Sequence, residues 1–207
     1  MNEYSYGPED YCYYGIEGNP VFTERLQDLE DMVMNMHPRP LKHLHFYTES
    51  VGAGHVGITT LYLDTVNTKQ NFWGSSIFKD HGDVRTSASR NNSTLVEAKV
   101  RGYTISELLS RIMQQFTPET VSEDDRRGGH LVVKIDIEGG EWPLLLEAAS
   151  NGTLCYLAEM GTRVDMFVEF HSEAVIGNNP LRFKMPSAIE KLESCGVVFR
   201  KLASWWA

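Results

Sequence analysis

The stretch Leu131-Val-Val-Lys-Ile-Asp-Ile-Glu-Gly-Gly-Glu-Trp142 constrains this chain more than any other. Its first seven residues are mostly branched and apolar with little alternation, the pattern of a strand buried on both faces of a parallel sheet. Lys134 and Asp136 interrupt the run. Glu138-Gly-Gly then predicts a tight strand-to-helix turn, with Pro143 in the first helical turn, where its missing N–H costs nothing. Asp136 and Glu138 therefore fall at the carboxyl end of a central strand, the edge at which open α/β sheets bind ligands.

Strands and helices alternate on either side. Tyr11 to Glu17 is aromatic-rich and strand-like, and Asn19 caps a helix with Pro20 in its first turn and Phe22, Leu26, Leu29, Val33 and Met36 at helical spacing. Residues 42–48 and 58–64 predict two strands joined by a glycine-rich turn. Residues 67–94 look polar and irregular around an apolar knot, Asn71 to Phe78. A strand follows at Leu95–Val100, and Thr104-x-x-Glu107 is a capping box that opens a helix. Downstream, a helix from Glu141 closes at Gly152, a buried strand runs from Asp165 to Phe170 and ends at His171, and Ser187-x-x-Glu190 boxes a short helix ended by Gly196. Val197 to Leu202 is a last strand. This alternation predicts βαβ units and one α/β domain over residues 1–207, with a Rossmann-like, mainly parallel sheet and helices on both faces.

Charge narrows the partners. A net charge of −9 and a pI near 5.2 argue against a nucleic-acid surface, which needs clustered Lys and Arg. No apolar run approaches the ~20 residues of a membrane span, and the first residues carry neither the basic start nor the apolar core of a signal peptide. Glu123 to Gly129 predicts a solvated, charged loop. Cys12, Cys155 and Cys195 are too few and too dispersed for a disulfide framework or a zinc site, so a reducing setting is the expectation, and with neither signal peptide nor membrane span visible a cytoplasmic one by default. Sequons start at Asn91, Asn92 and Asn151 and matter only if the chain is secreted. Gly52 to Gly57 matches G-x-G-x-x-G, but the β-branched run after it predicts a hairpin instead of the helix a dinucleotide site requires. His43-x-His45 shares one strand face and lacks a third ligand, so no metal is expected.

Lys134 to Trp142, followed by Phe167-Val-Glu-Phe-His171, resembles the FkbM-type S-adenosylmethionine-dependent methyltransferases. Tyr14-Gly-Ile-Glu-Gly-Asn-Pro20 and Trp73-Gly-Ser-Ser76 extend the likeness, which spans residues 11 to 202. It implies O-methylation of a small-molecule or sugar hydroxyl with S-adenosylmethionine as cofactor. Glu17 would hold the cofactor ribose, Glu49 and Ser50 would flank the adenine, and Ser75 and Ser76 would line the adenine side. Asp136 and His171, ending neighbouring strands, would face the acceptor, one of them serving as general base.

The chain departs from that family at both ends: the family usually has one more strand after Leu202-Ala-Ser-Trp-Trp-Ala207, and the larger departure is at the N-terminus. A strand ending in an Asp-x-Gly-x-x-x-Gly turn should precede the acidic residue, yet only sixteen residues precede Glu17, with Gly7 the single glycine ahead of the strand that begins at Tyr11. That strand would lie between residues 11–17 and 131–137, so two edges are expected to be left unpaired. The chain accordingly looks like a fragment, a truncated gene product or a decayed copy. A non-catalytic module serving as an interaction surface is the alternative.

Overall fold

The alternation of apolar periods along the chain becomes eight strands and six α-helices in the computed structural model, which describes residues 7–67, 74–114, 129–171 and 181–202. In chain order these are β1 (Cys12–Glu17), α1 (Thr23–Met34), β2 (His43–Thr48), β3 (Ser50–Gly52), β4 (Gly57–Tyr62), α2 (Gly82–Arg90) and β5 (Glu97–Tyr103). There follow α3 (Ile105–Gln114), β6 (His130–Ile135), α4 (Glu141–Asn151), α5 (Thr153–Glu159), β7 (Arg163–Glu169), α6 (Leu181–Ser194) and β8 (Val198–Leu202). Trp73, the charged run from Glu123 and the chain after Leu202 lie outside the described residues.

Strand pairing makes three sheets: β1-β2, β3-β5-β4 and β6-β7-β8. Every pair is parallel except β4 with β5. The fold is therefore α/β, Rossmann-like and mainly parallel, with flanking helices. The main core forms where α4 and α6 cover β6 and β7, and Leu145, Leu154, Val164, Met166, Val168 and Leu192 are fully buried there. Val51, Leu61 and Val100 form a smaller cluster in the middle sheet.

The join between β1 and β6 is open. At their starting ends the Tyr11 hydroxyl lies 3.2 Å from His130 Nδ1. At their far ends β3 stands between them, with Gly18 against Val51 and Gly52 against Ile137 and Leu144. The two strands thus run in the same direction, and among the described residues no ladder joins them. Val132 on β6 and Tyr13 on β1 remain 48% and 52% exposed beside this open join.

Local signals held at several places. Asn19 accepts the Val21 N–H at 3.2 Å, Thr104 accepts the Glu107 N–H at 3.1 Å, and Gly152 closes α4 in the left-handed region at φ 79°. Five expectations need correction. The strand of residues 131–137 is not central and buried on both faces: β6 is the edge of its sheet, and Val132 and Lys134 are exposed, because no strand pairs with its other side among the described residues. Residues 52–57 do not form a hairpin, because β5 inserts between β3 and β4 and bonds both. Gly102 allows that insertion, since a Cβ there would stand 3.0 Å from the His55 carbonyl oxygen.

Residues 67–94 are not wholly irregular. They contain α2, hidden from a periodicity search because Val84 is the one large apolar residue its inner face needs. Ser187-x-x-Glu190 opens nothing; it lies inside α6, which runs through Pro186. A proline there costs about 3 kcal/mol, whereas Met185 and Leu192 on the same helix are buried at about 1.5–3 kcal/mol each. Finally, Cys155 and Cys195 are joined as a disulfide, with Cα atoms 5.3 Å apart.

Candidate functional site

The turn after β6 builds the site. The Gly140 N–H donates back to the Ile137 carbonyl at 2.6 Å, and Gly139 takes φ 86°, so the chain reverses within four residues and α4 starts at once. Gly140 is needed for the close approach, because a Cβ would come 3.2 Å from Ile137 Cγ2. This turn leaves Asp136 and Glu138 at the end of β6 and buries Glu141 completely in the first turn of α4. One strand over, β7 ends and Phe170 packs on Trp142, ring centroids 5.2 Å apart, which brings His171 back over the same turn.

Three carboxylates surround the His171 ring. Nε2 lies 3.2 Å from Glu138 Oε1 and 3.8 Å from Asp136 Oδ1, and Nδ1 lies 3.5 Å from Glu141 Oε1. The His171 backbone N–H donates to Glu141 Oε1 at 2.9 Å. On its other oxygen, Glu138 meets His81 Nε2 at 3.0 Å. Lys134 donates to Asp136 at 2.8 Å.

Charge is strongly organised here. Burial alone would raise the Glu138 carboxyl, but hydrogen bonds from His171 and His81 overcome it and hold the group down at about 2. Burial would likewise lower His171, yet the carboxylates of Glu138 and Glu141 beside its ring push the imidazole up to about 10. At neutral pH His171 is thus a cation that donates. Asp136 is the open member, its side chain 40% exposed. Glu141 Oε2 and Trp142 Nε1 are buried with no hydrogen-bond partner among the described residues, so polar capacity is left over at this edge. Asp83 adds another carboxylate, raised by burial and felt by both histidines and Glu138.

Sequence and structure agree on part of this cluster. Asp136 and His171 do come together at the ends of neighbouring strands, at ion-pair distance. The acidic residue ending β1, Glu17, accepts the Asn19 N–H at 2.7 Å, and burial raises its pKa. Glu49 is exposed in the left-handed region at φ 51°, with Thr23 Oγ1 at 3.5 Å from its carboxylate. Ser50 is buried and donates to the Thr48 carbonyl at 3.0 Å. The two later serines are spent on the scaffold. Ser75 Oγ accepts the Asp64 N–H at 3.0 Å, and Ser76 Oγ donates to the Glu138 carbonyl while accepting the Phe78 N–H at 3.1 Å. Ser76 therefore ties the 74–81 loop under the β6 turn.

His81 escaped the sequence. It caps α2, where Nδ1 accepts the Asp83 N–H at 3.2 Å, and it is 2% exposed. Its partner Glu138 is 57 residues away, a separation with no local trace. The one available signal was a histidine just before Gly82-Asp83, inside a segment that reads as loop. Among the described residues no group of His, Cys, Asp and Glu is arranged to hold a metal ion, and no helix is long and apolar enough to cross a membrane. Comparison with protein-family models, curated proteins and solved structures finds no match in any of the three.

Proposed function

We propose that this chain is an S-adenosylmethionine-dependent methyltransferase domain acting on a hydroxyl of a small molecule or sugar. The observation that carries the proposal is the convergence of Asp136, Glu138 and His171 at the carboxyl end of β6 and β7, where parallel sheets take their ligands. Surplus carboxylate at that edge suits a cationic ligand, because acidic clefts concentrate positive charge. The unpartnered Glu141 Oε2 and Trp142 Nε1 fit a polar ligand in the same place.

When bound, the cofactor supplies an electrophilic methyl group on a cationic sulfur. The protein's own part is to position the acceptor and to take one proton. Asp136 is the base, since it is the exposed carboxylate of the cluster. His171, held as imidazolium between Glu138 and Glu141, orients Asp136 and does not itself accept the proton. Glu17, Glu49 and Ser50 form the cofactor side. Ser76 also supports the Glu138 turn through its bond to the Glu138 carbonyl, while Ser75 holds the Asp64 N–H.

The unpaired edges of β1 and β6 favour the second reading, a non-catalytic module with the same fold. The two are separated by incubating the chain with methyl-labelled cofactor and a panel of polyhydroxylated acceptors. An enzyme gives an alkali-stable labelled ether, lost in Asp136→Asn. Label transfer that is absent for every acceptor, or unchanged in Asp136→Asn, contradicts the catalytic assignment.

A further inference from the structure

The disulfide and the sequons, unexplained by the site, point the same way. Cys155 in α5 is bonded to Cys195, which follows α6, across a sequence separation of 40 residues. Stable disulfides of this kind persist in oxidising compartments and are rare where glutathione and thioredoxin keep thiols reduced. The expectation of a reducing setting rested on these cysteines being unpaired, and that support is gone.

Asn91-Asn92-Ser93-Thr94 carries two overlapping acceptor triplets. The four residues lie between α2 and β5 and all are exposed. They form a tight projecting turn: the Thr94 N–H donates to the Asn91 carbonyl at 2.9 Å, and Asn92 and Ser93 take φ 51° and 62°. A bulky, hydrated group on such a turn displaces no packing. Asn151 begins the third triplet but sits in the last turn of α4, where its carboxamide oxygen accepts from the Thr153 hydroxyl.

From these two independent observations we infer that the chain matures in an oxidising secretory compartment and carries an N-linked glycan on Asn92. In that modification the Asn92 side-chain nitrogen forms a bond to the anomeric carbon of a lipid-linked oligosaccharide. The bond from that carbon to the lipid diphosphate breaks, the diphosphate leaves with the electron pair, and the amide gives up one proton to the transferase. The disulfide forms as two thiols pass two electrons and two protons to the disulfide of a thiol oxidoreductase, which leaves as a dithiol. The inference stands whether or not the domain transfers methyl groups.

The test uses the protein isolated from cells that make it naturally, with free thiols blocked before lysis. Peptide N-glycosidase should increase its gel mobility by one step and convert Asn92 to Asp in the tryptic map. The non-reduced digest should contain the linked Cys155 and Cys195 peptides. Thr94→Ala, expressed from the same gene in the same cells, should lose the glycan on Asn92 while the disulfide remains. An unmodified Asn92, a glycan confined to Asn151, or blocked free thiols at both cysteines would each overturn the inference.

Discussion

His171 and Glu138 hold each other ionised across 3.2 Å, one at the end of β7 and the other just beyond β6. Their pH dependence has opposite signs. His171 is raised from 6.5 to about 10, so its contribution to stability is full below pH 6.5 and is lost as pH climbs toward 10. Glu138 is lowered from 4.5 to about 2, so its contribution is full above pH 4.5 and is lost as pH falls toward 2. Unfolding free energy should therefore peak between pH 4.5 and 6.5 and decline on both sides. In that window Glu138→Gln should cost about 1.5–3 kcal/mol, the worth of hydrogen bonds to a charged group, and flatten both limbs. Urea unfolding at a series of pH values reads this; a parallel profile for the variant would show that the pair is not what titrates.

Glu17 makes the opposite prediction. Burial raises its carboxyl in the folded chain, so its ionised form is penalised at neutral pH. Stability from this group is greatest below pH 4.5 and is lost as pH rises through the folded value. Glu17→Gln keeps an oxygen for the Asn19 N–H and removes the charge, and it should leave neutral-pH stability unchanged or raise it by up to ~1 kcal/mol. A clear loss of stability would make the ionised group a structural cap of the β1 turn.

The Cys155–Cys195 bond closes a long loop over the main core. Replacing both residues with serine should lower stability by about 2–4 kcal/mol, with α5 and the end of α6 losing amide-exchange protection first. Uniform loss of protection over all the described elements would show that the bond does not act locally.

What could be read from the chain follows from the range of each interaction. The β6 turn, the Asn19 and Thr104 caps and the Gly152 stop were legible because each is decided within a few residues. The α2 helix was not, since its buried face needs little more than Val84 and Ser87. Ser187 and Glu190 imitated a helix start inside α6 because burial of Met185 and Leu192 overrides the local signal. Asp136 and His171 could be paired from strand order. The role of His171 could not, because its charge state is set by Glu138 and Glu141 packed around it, and His81 joins the same carboxylate from a distant loop.

The open join between β1 and β6 should make the chain associate. Unpaired parallel edges with exposed apolar neighbours are templates for strand pairing. Sedimentation should show concentration-dependent dimers or larger species, and Val132→Lys should shift the population toward monomer without lowering the melting temperature. A strictly monomeric chain with a sharp melt would mean that these edges are closed in solution.

Cofactor binding tests the central claim most directly. Calorimetric titration of S-adenosylmethionine into the chain should give saturable binding at one site, weakened in Glu17→Gln by about 1–3 kcal/mol as polar groups of the ligand lose their partner. Asp136→Asn, measured alongside, should bind within a few-fold of the parent. Absence of saturable binding by a folded parent chain, or equal affinity in Glu17→Gln, would contradict the assignment of this edge as a methyltransferase site.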